Sequence, residues 1–169
     1  IIHVDTTIDP IRDKETIDIE LQLKDLETVE KRLERVKRTA KTGNKEAQAE
    51  LVILLKIQET LLQGISVRTI DFLEKEEEFV KTLQLITAKP VLYVCNVDED
   101  SAVTGNAYVD KVKEVVANED AEIIILAVGT EADINELDDY EERQMFLADI
   151  GLDEPGSSKL IRSAYKLLK

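Results

Sequence analysis

The sequence predicts an α/β protein in which part of a doubly wound parallel sheet is interrupted by an antiparallel hairpin of long helices. Three observations point there. In the second half, an uninterrupted apolar run of strand length, Val91-Leu92-Tyr93-Val94-Cys95, and a second buried-type strand over residues 122–128 alternate with helical patterns, the grammar of a βαβ unit. Ahead of them, apolar residues recur at spacings of three and four along two stretches separated only by Thr42-Gly43-Asn44. Finally, the composition is 43% hydrophobic and 34% charged but only 4% aromatic, with no Trp and three Pro, which suits a soluble helix-rich protein rather than a β-sandwich or a disordered chain.

In chain order, residues 1–8 are β-prone and end in Asp9-Pro10, a pair that leaves the strand conformation, so a short strand and turn are expected. From about Asp13, Ile19, Leu26, Val29, Leu33, Val36 and Ala40 form a coiled-coil-like seam broken only by Gln22, a helix of about seven turns. Gly43 and Asn44 offer the backbone freedom of a helix end and tight reversal. A second periodic run follows through Ala47, Leu51, Leu54, Leu55, Gln58, Leu61 and Leu62 to about Gly64, and so short a connection makes the two helices antiparallel. A third helix is expected over 66–87, with Glu74 to Glu78 as a solvated face. After Lys89-Pro90 come a strand buried on both faces, a helix over 107–117, a second buried strand over 122–128, and helices near 134–149 and 157–168. The 169 residues suffice for one core and an inserted sub-domain, not for two large cores.

Charge and cysteine content narrow the function. The net charge of −14 opposes polyanion binding by the chain as a whole. Yet Lys31, Arg32, Arg35, Lys37, Arg38, Lys41 and Lys45 face a single acid, Glu34, giving that stretch a local balance of +6 near the hairpin tip. Lysines and arginines there could contact phosphates, or simply solvate a coiled coil and satisfy helix carbonyls. One cysteine, Cys95, excludes a disulfide framework or Cys-rich zinc site and reads as a small core residue. No apolar run approaches the roughly 18 residues of a membrane span, so a cytoplasmic protein is expected. The only histidine, His3, is given no role.

Two motifs could carry chemistry. Asn96-Val97-Asp98-Glu99 follows the first apolar strand directly, and ligands of open α/β sheets bind beyond the carboxyl ends of strands. An amide and a carboxylate three positions apart there could read a polar ring edge; equally, Asn96 could cap a turn and residues 98–100 could begin a helix. Ala127-Val128-Gly129-Thr130 ends the second strand, where Gly129 would allow a ligand close to the backbone, or Thr130 could cap a helix. Asp138-Asp139 and Glu141-Glu142 have the spacing of a capped helix start rather than of a metal site.

Taken together, Ile2-His3-Val4 with Asp9-Pro10, the helical hairpin, Lys89-Pro90 leading to Asn96-Val97-Asp98-Glu99, Glu131-Ala132-Asp133-Ile134, Gly151-Leu152 and Ile161-Arg162-Ser163-Ala164-Tyr165 resemble the YchF family of Obg-related P-loop nucleotidases. The resemblance spans essentially the whole chain. It implies a partial P-loop NTPase sheet interrupted by an inserted coiled-coil domain over 13–87, with nucleotide-domain segments over 1–12 and 88–169 and a small β-rich TGS domain beyond. It also implies a ribosome-associated protein that hydrolyses ATP and GTP with Mg²⁺, and purine contacts at Asn96, Val97 and Glu99 and at the turn Ala127, Val128 and Gly129.

In this family Asn-x-x-Glu stands where guanine readers have Asn-Lys-x-Asp. The extra methylene displaces a carboxylate that must meet two guanine N–H donors, which relaxes the preference for GTP. The turn at 127–129 lacks the Ser that GTPases often carry there. No Gly-x-x-x-x-Gly-Lys-Ser/Thr and no Mg²⁺-holding Asp-x-x-Gly occur in these 169 residues, so no catalytic residue and no metal ligand are assigned. The chain by itself is therefore expected to be inactive and to be a middle piece of a longer protein. The competing reading is a non-enzymatic coiled-coil interaction module on an α/β scaffold.

Overall fold

The computed structural model describes residues 7–119 and 121–168. The chain divides into two units, Arg12–Lys89 and the pair Ile1–Ile11 with Pro90–Lys169. The strand expected over 1–8 falls largely outside the described residues, as does His3.

The helical unit contains α1 (Pro10–Ala40), α2 (Lys45–Leu62) and α3 (Glu74–Leu83). Helix α1 begins three residues earlier than the apolar pattern suggests. Pro10 has its φ fixed for a first helical turn, and the Asp9 carboxylate accepts the Ile11 N–H at 3.2 Å, so this pair starts a helix instead of a turn. The reversal follows the residues closely: Gly43 takes φ +82°, and the Asn44 side chain caps α2 by accepting the Ala47 N–H at 3.0 Å.

Along α1 the inward positions are Gln22, Asp25, Val29, Leu33, Val36 and Ala40. They meet Ala47, Ile53, Leu54, Ile57 and Leu61 of α2, with Val67, Val80 and Leu85 closing the core. The inward face of α2 is thus centred on Leu54 and Ile57; Leu55 and Leu62 of the expected stripe are exposed. Gln22, the one break in the expected seam, donates its amide to the Gly64 carbonyl at 3.0 Å, across the hairpin's open end.

The long third helix expected over 66–87 does not form. Val67–Thr69 is a 3₁₀ turn, residues 70–73 are irregular, and α3 starts only at Glu74. The reason lies in the acidic cluster. Glu74, Glu76 and Glu77 occupy the first turn, where negative charge complements the helix N-terminus, and the Glu76 carboxylate accepts the Leu73 N–H at 2.9 Å. The cluster is largely exposed, as a solvated face requires, and its first residues also act as a start signal. Gln84, left-handed at φ 52°, ends the helix.

In the second unit, β1 (Val91–Asn96) and β2 (Ala121–Leu126) pair in parallel from Val91↔Ala121 to Asn96↔Leu126, joined through α4 (Ala107–Val115). Asn106 caps α4 by accepting the Tyr108 and Val109 N–H groups. Helices α5 (Val128–Glu136), α6 (Tyr140–Asp149) and α7 (Gly156–Leu167) follow, and α7 packs against both strands. This is the parallel α/β arrangement expected, with two corrections. Strand β1 is not buried on both faces: Val94 is 47% exposed, because the described residues form a sheet of only two strands and cover β1 in part. Strand β2 stops at Leu126, and Val128, Gly129 and Thr130 already belong to α5, so Thr130 is not a cap but a buried residue of its first turn. Asp139 does cap α6, accepting the Glu141 N–H at 2.8 Å, as its spacing suggests.

Candidate base-recognition site and basic arm

The two strand-end motifs come together because β1 and β2 are adjacent and in register. Asn96 and Leu126 are partners at the last rung, and the Val97 N–H extends the ladder to the Leu126 carbonyl at 2.8 Å. One step further, the Asn96 side-chain oxygen accepts the Val128 N–H at 3.1 Å. That bond does two things. It fixes the turn at 127–129 against the first motif, and, since it commits the oxygen, it leaves the Asn96 amide NH₂ facing outward as a donor suited to a ring-nitrogen acceptor.

Asp98 accepts the Ser101 N–H at 3.0 Å and caps a 3₁₀ turn over Glu99–Ser101. The turn chemistry is therefore real, but it belongs to Asp98. Glu99, first in that turn, is exposed; its backbone carbonyl accepts the Ala102 N–H at 3.0 Å, but its carboxylate has no hydrogen-bond or ion-pair partner among the described residues and is available to accept from an exocyclic amine or ring N–H. Val97 is half-buried, Ala127 buried, Val128 half-exposed, and no atom lies within 4 Å of the place a Cβ on Gly129 would occupy. Gly129 thus leaves open space beside the turn. The neighbouring Cys95 thiol is pushed up from its ordinary pKa by burial, against the opposing pull of Lys113, which keeps it protonated and poorly nucleophilic.

Of the basic residues in the arm, Arg32 is committed to the fold. Its guanidinium pairs with Glu50 of α2 at 3.0 Å and lies 5.7 Å from the Phe79 ring centroid of α3, joining all three helices. Lys31, Arg35, Lys37, Arg38, Lys41 and Lys45 are exposed and form no ion pair among the described residues. Lys31 and Arg35 look onto an open groove of about 810 Å³ shared with Glu46, Lys75, Glu78 and Phe79. Lys37 and Arg38 fall in the last turn of α1, where they also complement the helix dipole.

Sequence reasoning missed Asp25. It is 2% exposed, and its carboxylate accepts the Ile86 N–H (2.8 Å), the Thr87 N–H (2.7 Å) and the Thr87 hydroxyl (2.7 Å). Thr87 in turn accepts the Val67 N–H at 3.2 Å. The signal was its place one helical step from Gln22 and Val29 on the inward seam, where an acid needs partners.

Among the described residues no group of three His, Cys, Asp or Glu side chains could hold a metal ion, and no helix is long and apolar enough to cross a membrane.

Parallel in-register strands joined by a helix, with polar residues at their carboxyl ends and a helical hairpin as a separate unit, define part of a P-loop NTPase-type α/β fold. No family model matches the chain. It is 45% identical over 170 residues to the ribosome-binding ATPase YchF of Bacillus subtilis (strain 168), and 42% identical over 168 residues to that of Escherichia coli O157:H7. Each match covers 99% of this chain and 46% of the relative. The solved YchF GTPase of Schizosaccharomyces pombe superposes with a TM-score of 0.86 at 30% identity, again over 99% of this chain and 46% of that one. Over the segment it spans, the chain is homologous to these YchF proteins; it spans about half the length of the curated relatives it matches.

Proposed function

We propose that this chain is the purine-reading and arm-bearing part of a longer ribosome-associated nucleotidase that hydrolyses ATP, and also GTP. The observation that supports this is the junction of the two strand ends. Asn96 of the first motif binds the Val128 amide of the second directly, and Glu99 follows Asn96 three residues on, at the start of a 3₁₀ turn. Asn96 presents a donor and Glu99 an acceptor to the edge of a purine, while Val97 and the 127–129 turn flank it. The Mg²⁺ that such hydrolysis needs would be held by the phosphate-binding half of an extended protein, as no described residues here form a donor set for it.

The reading is tested by competition binding of ATP and GTP to the extended protein, meaning this chain with the segments its relatives carry beyond it. ATP is expected to bind at least as tightly as GTP. Glu99→Asp, alone or with Val97→Lys, should shift the ratio toward GTP by about tenfold, the scale of one properly made hydrogen bond to a charged group. A strong GTP preference in the unmodified protein would sink the assignment of Glu99. The 169-residue chain alone should show no ATPase turnover above background, and turnover that survives repurification would contradict it.

A further inference from the structure

Glu131 lies in the first turn of α5, three residues beyond the amide that Asn96 holds, but its carboxylate serves another helix. Its Oε1 accepts the Gly156 N–H at 2.5 Å and its Oε2 the Ser157 N–H at 3.1 Å. These are the first two residues of α7, whose N-cap position is Pro155, a residue with no side-chain acceptor to offer. The approach is close. A Cβ on Gly156 would lie 2.2 Å from Leu126 Cδ2 and 2.8 Å from Glu131 Oε1, so any larger residue would have to push aside the Leu126 side chain and the Glu131 carboxylate. The first turn of α5 is thereby held at two points, Val128 by Asn96 at 3.1 Å and Glu131 by the start of α7.

We propose that Glu131 is a positioning residue for purine binding: by tying α5 to α7 it sets where the turn at 127–129 stands relative to Asn96. This rests on the base-site reading above. A cap that merely stabilised α7 could equally be supplied from α7's own chain, and that difference is testable. Asp at position 155 can accept the N–H groups of the first turn of α7 without touching α5.

The experiment compares Glu131→Ala with Glu131→Ala/Pro155→Asp in the extended protein, reading Tm, ATP affinity and hydrogen exchange at the Val128 amide. Glu131→Ala is expected to lower Tm, weaken ATP binding about tenfold through misplacement of the turn, and speed Val128 exchange. Adding Pro155→Asp should restore Tm while affinity and protection stay low. Recovery of affinity together with Tm, or unchanged affinity in Glu131→Ala, overturns the proposal. If Glu131→Ala does not fold, Glu131→Gln keeps the side chain's volume and one acceptor and should give an intermediate loss; no loss overturns the proposal as well. Asn96→Ala separates the two readings. Unchanged ATP affinity in that variant removes the base site and the tether together, whereas a loss there with none at Glu131 removes the tether alone.

Discussion

Replacing Arg35, Arg38 and Lys41 together by Glu in the extended protein is expected to abolish the ribosome association proposed for it while leaving nucleotide affinity within about twofold. The free charges of the arm decide this outcome. Arg32 is spent on Glu50 and Phe79, whereas the three chosen residues are exposed and have no ion-pair partner among the described residues. They stand in the last turns of α1 and at the Gly43 reversal, in a chain of net charge −14 whose remaining surface repels a polyanion. An arm touching roughly four phosphates gives a slope of log K against log salt of about −3 to −4. The unmodified protein should accordingly lose roughly a hundredfold in affinity between about 50 and about 200 mM salt. In the variant, repulsion replaces that attraction, and no salt-sensitive binding should remain.

The substitutions carry a structural cost that must be measured alongside. Acids near the negative end of α1 oppose the helix dipole by about 0.3–1 kcal/mol each, so Tm of the variant should fall modestly. Exchanging the same residues for Gln removes three of the contacts without that penalty and should cut the salt slope to about −1. Co-sedimentation that persists undiminished in the Glu variant would place the contact outside the arm.

The parts of this fold that could be read from the sequence are those decided by neighbouring residues. The reversal at Gly43-Asn44, the cap at Asp139 and the period of α1 need only local chemistry, and all three appear where their residues suggest. The third helix fails for a related reason. Val67, Ile70 and Phe72 have helical spacing, yet they fill the core from a 3₁₀ turn and an irregular stretch, and a short apolar run does not distinguish these. The acidic stretch that follows marked the true start of α3. At the site, the motif at Asn96 to Glu99 was legible as a polar pair at a strand end, but the Val128 amide that orients Asn96 lies 32 residues away and follows only from strand register. Glu131 was illegible on the same ground, and Asp25 was legible only as an acid on the inward seam, without its partners. A carboxylate on a helix ordinarily faces water, and what makes these two structural is backbone N–H groups 25 and more residues distant.

Asp25→Ala is expected to destabilise the helical unit by about 3–5 kcal/mol, a large share of the roughly 5–15 kcal/mol that holds a domain folded. The carboxylate is buried and accepts three hydrogen bonds, two of them from the backbone amides of Ile86 and Thr87. Its removal strands both amides without acceptors, at about 1–3 kcal/mol each, and frees the Thr87 hydroxyl that also receives the Val67 N–H. Asp25→Asn should recover only part of the loss, since one of its two terminal groups becomes a donor facing donors. Thr87→Val keeps the shape but removes the hydroxyl, and should cost about 1–2 kcal/mol. Because the two residues share one network, the double variant Asp25→Ala/Thr87→Val should be less destabilised than the sum of the singles. Urea unfolding of the four proteins measures this cycle, and hydrogen exchange at Ile86 and Thr87 should rise specifically in the Asp25 variants. A loss below about 1 kcal/mol for Asp25→Ala, or strict additivity with Thr87→Val, would mean that the loop ahead of β1 is held by its apolar contacts, Val67 and Leu85, and not by this carboxylate.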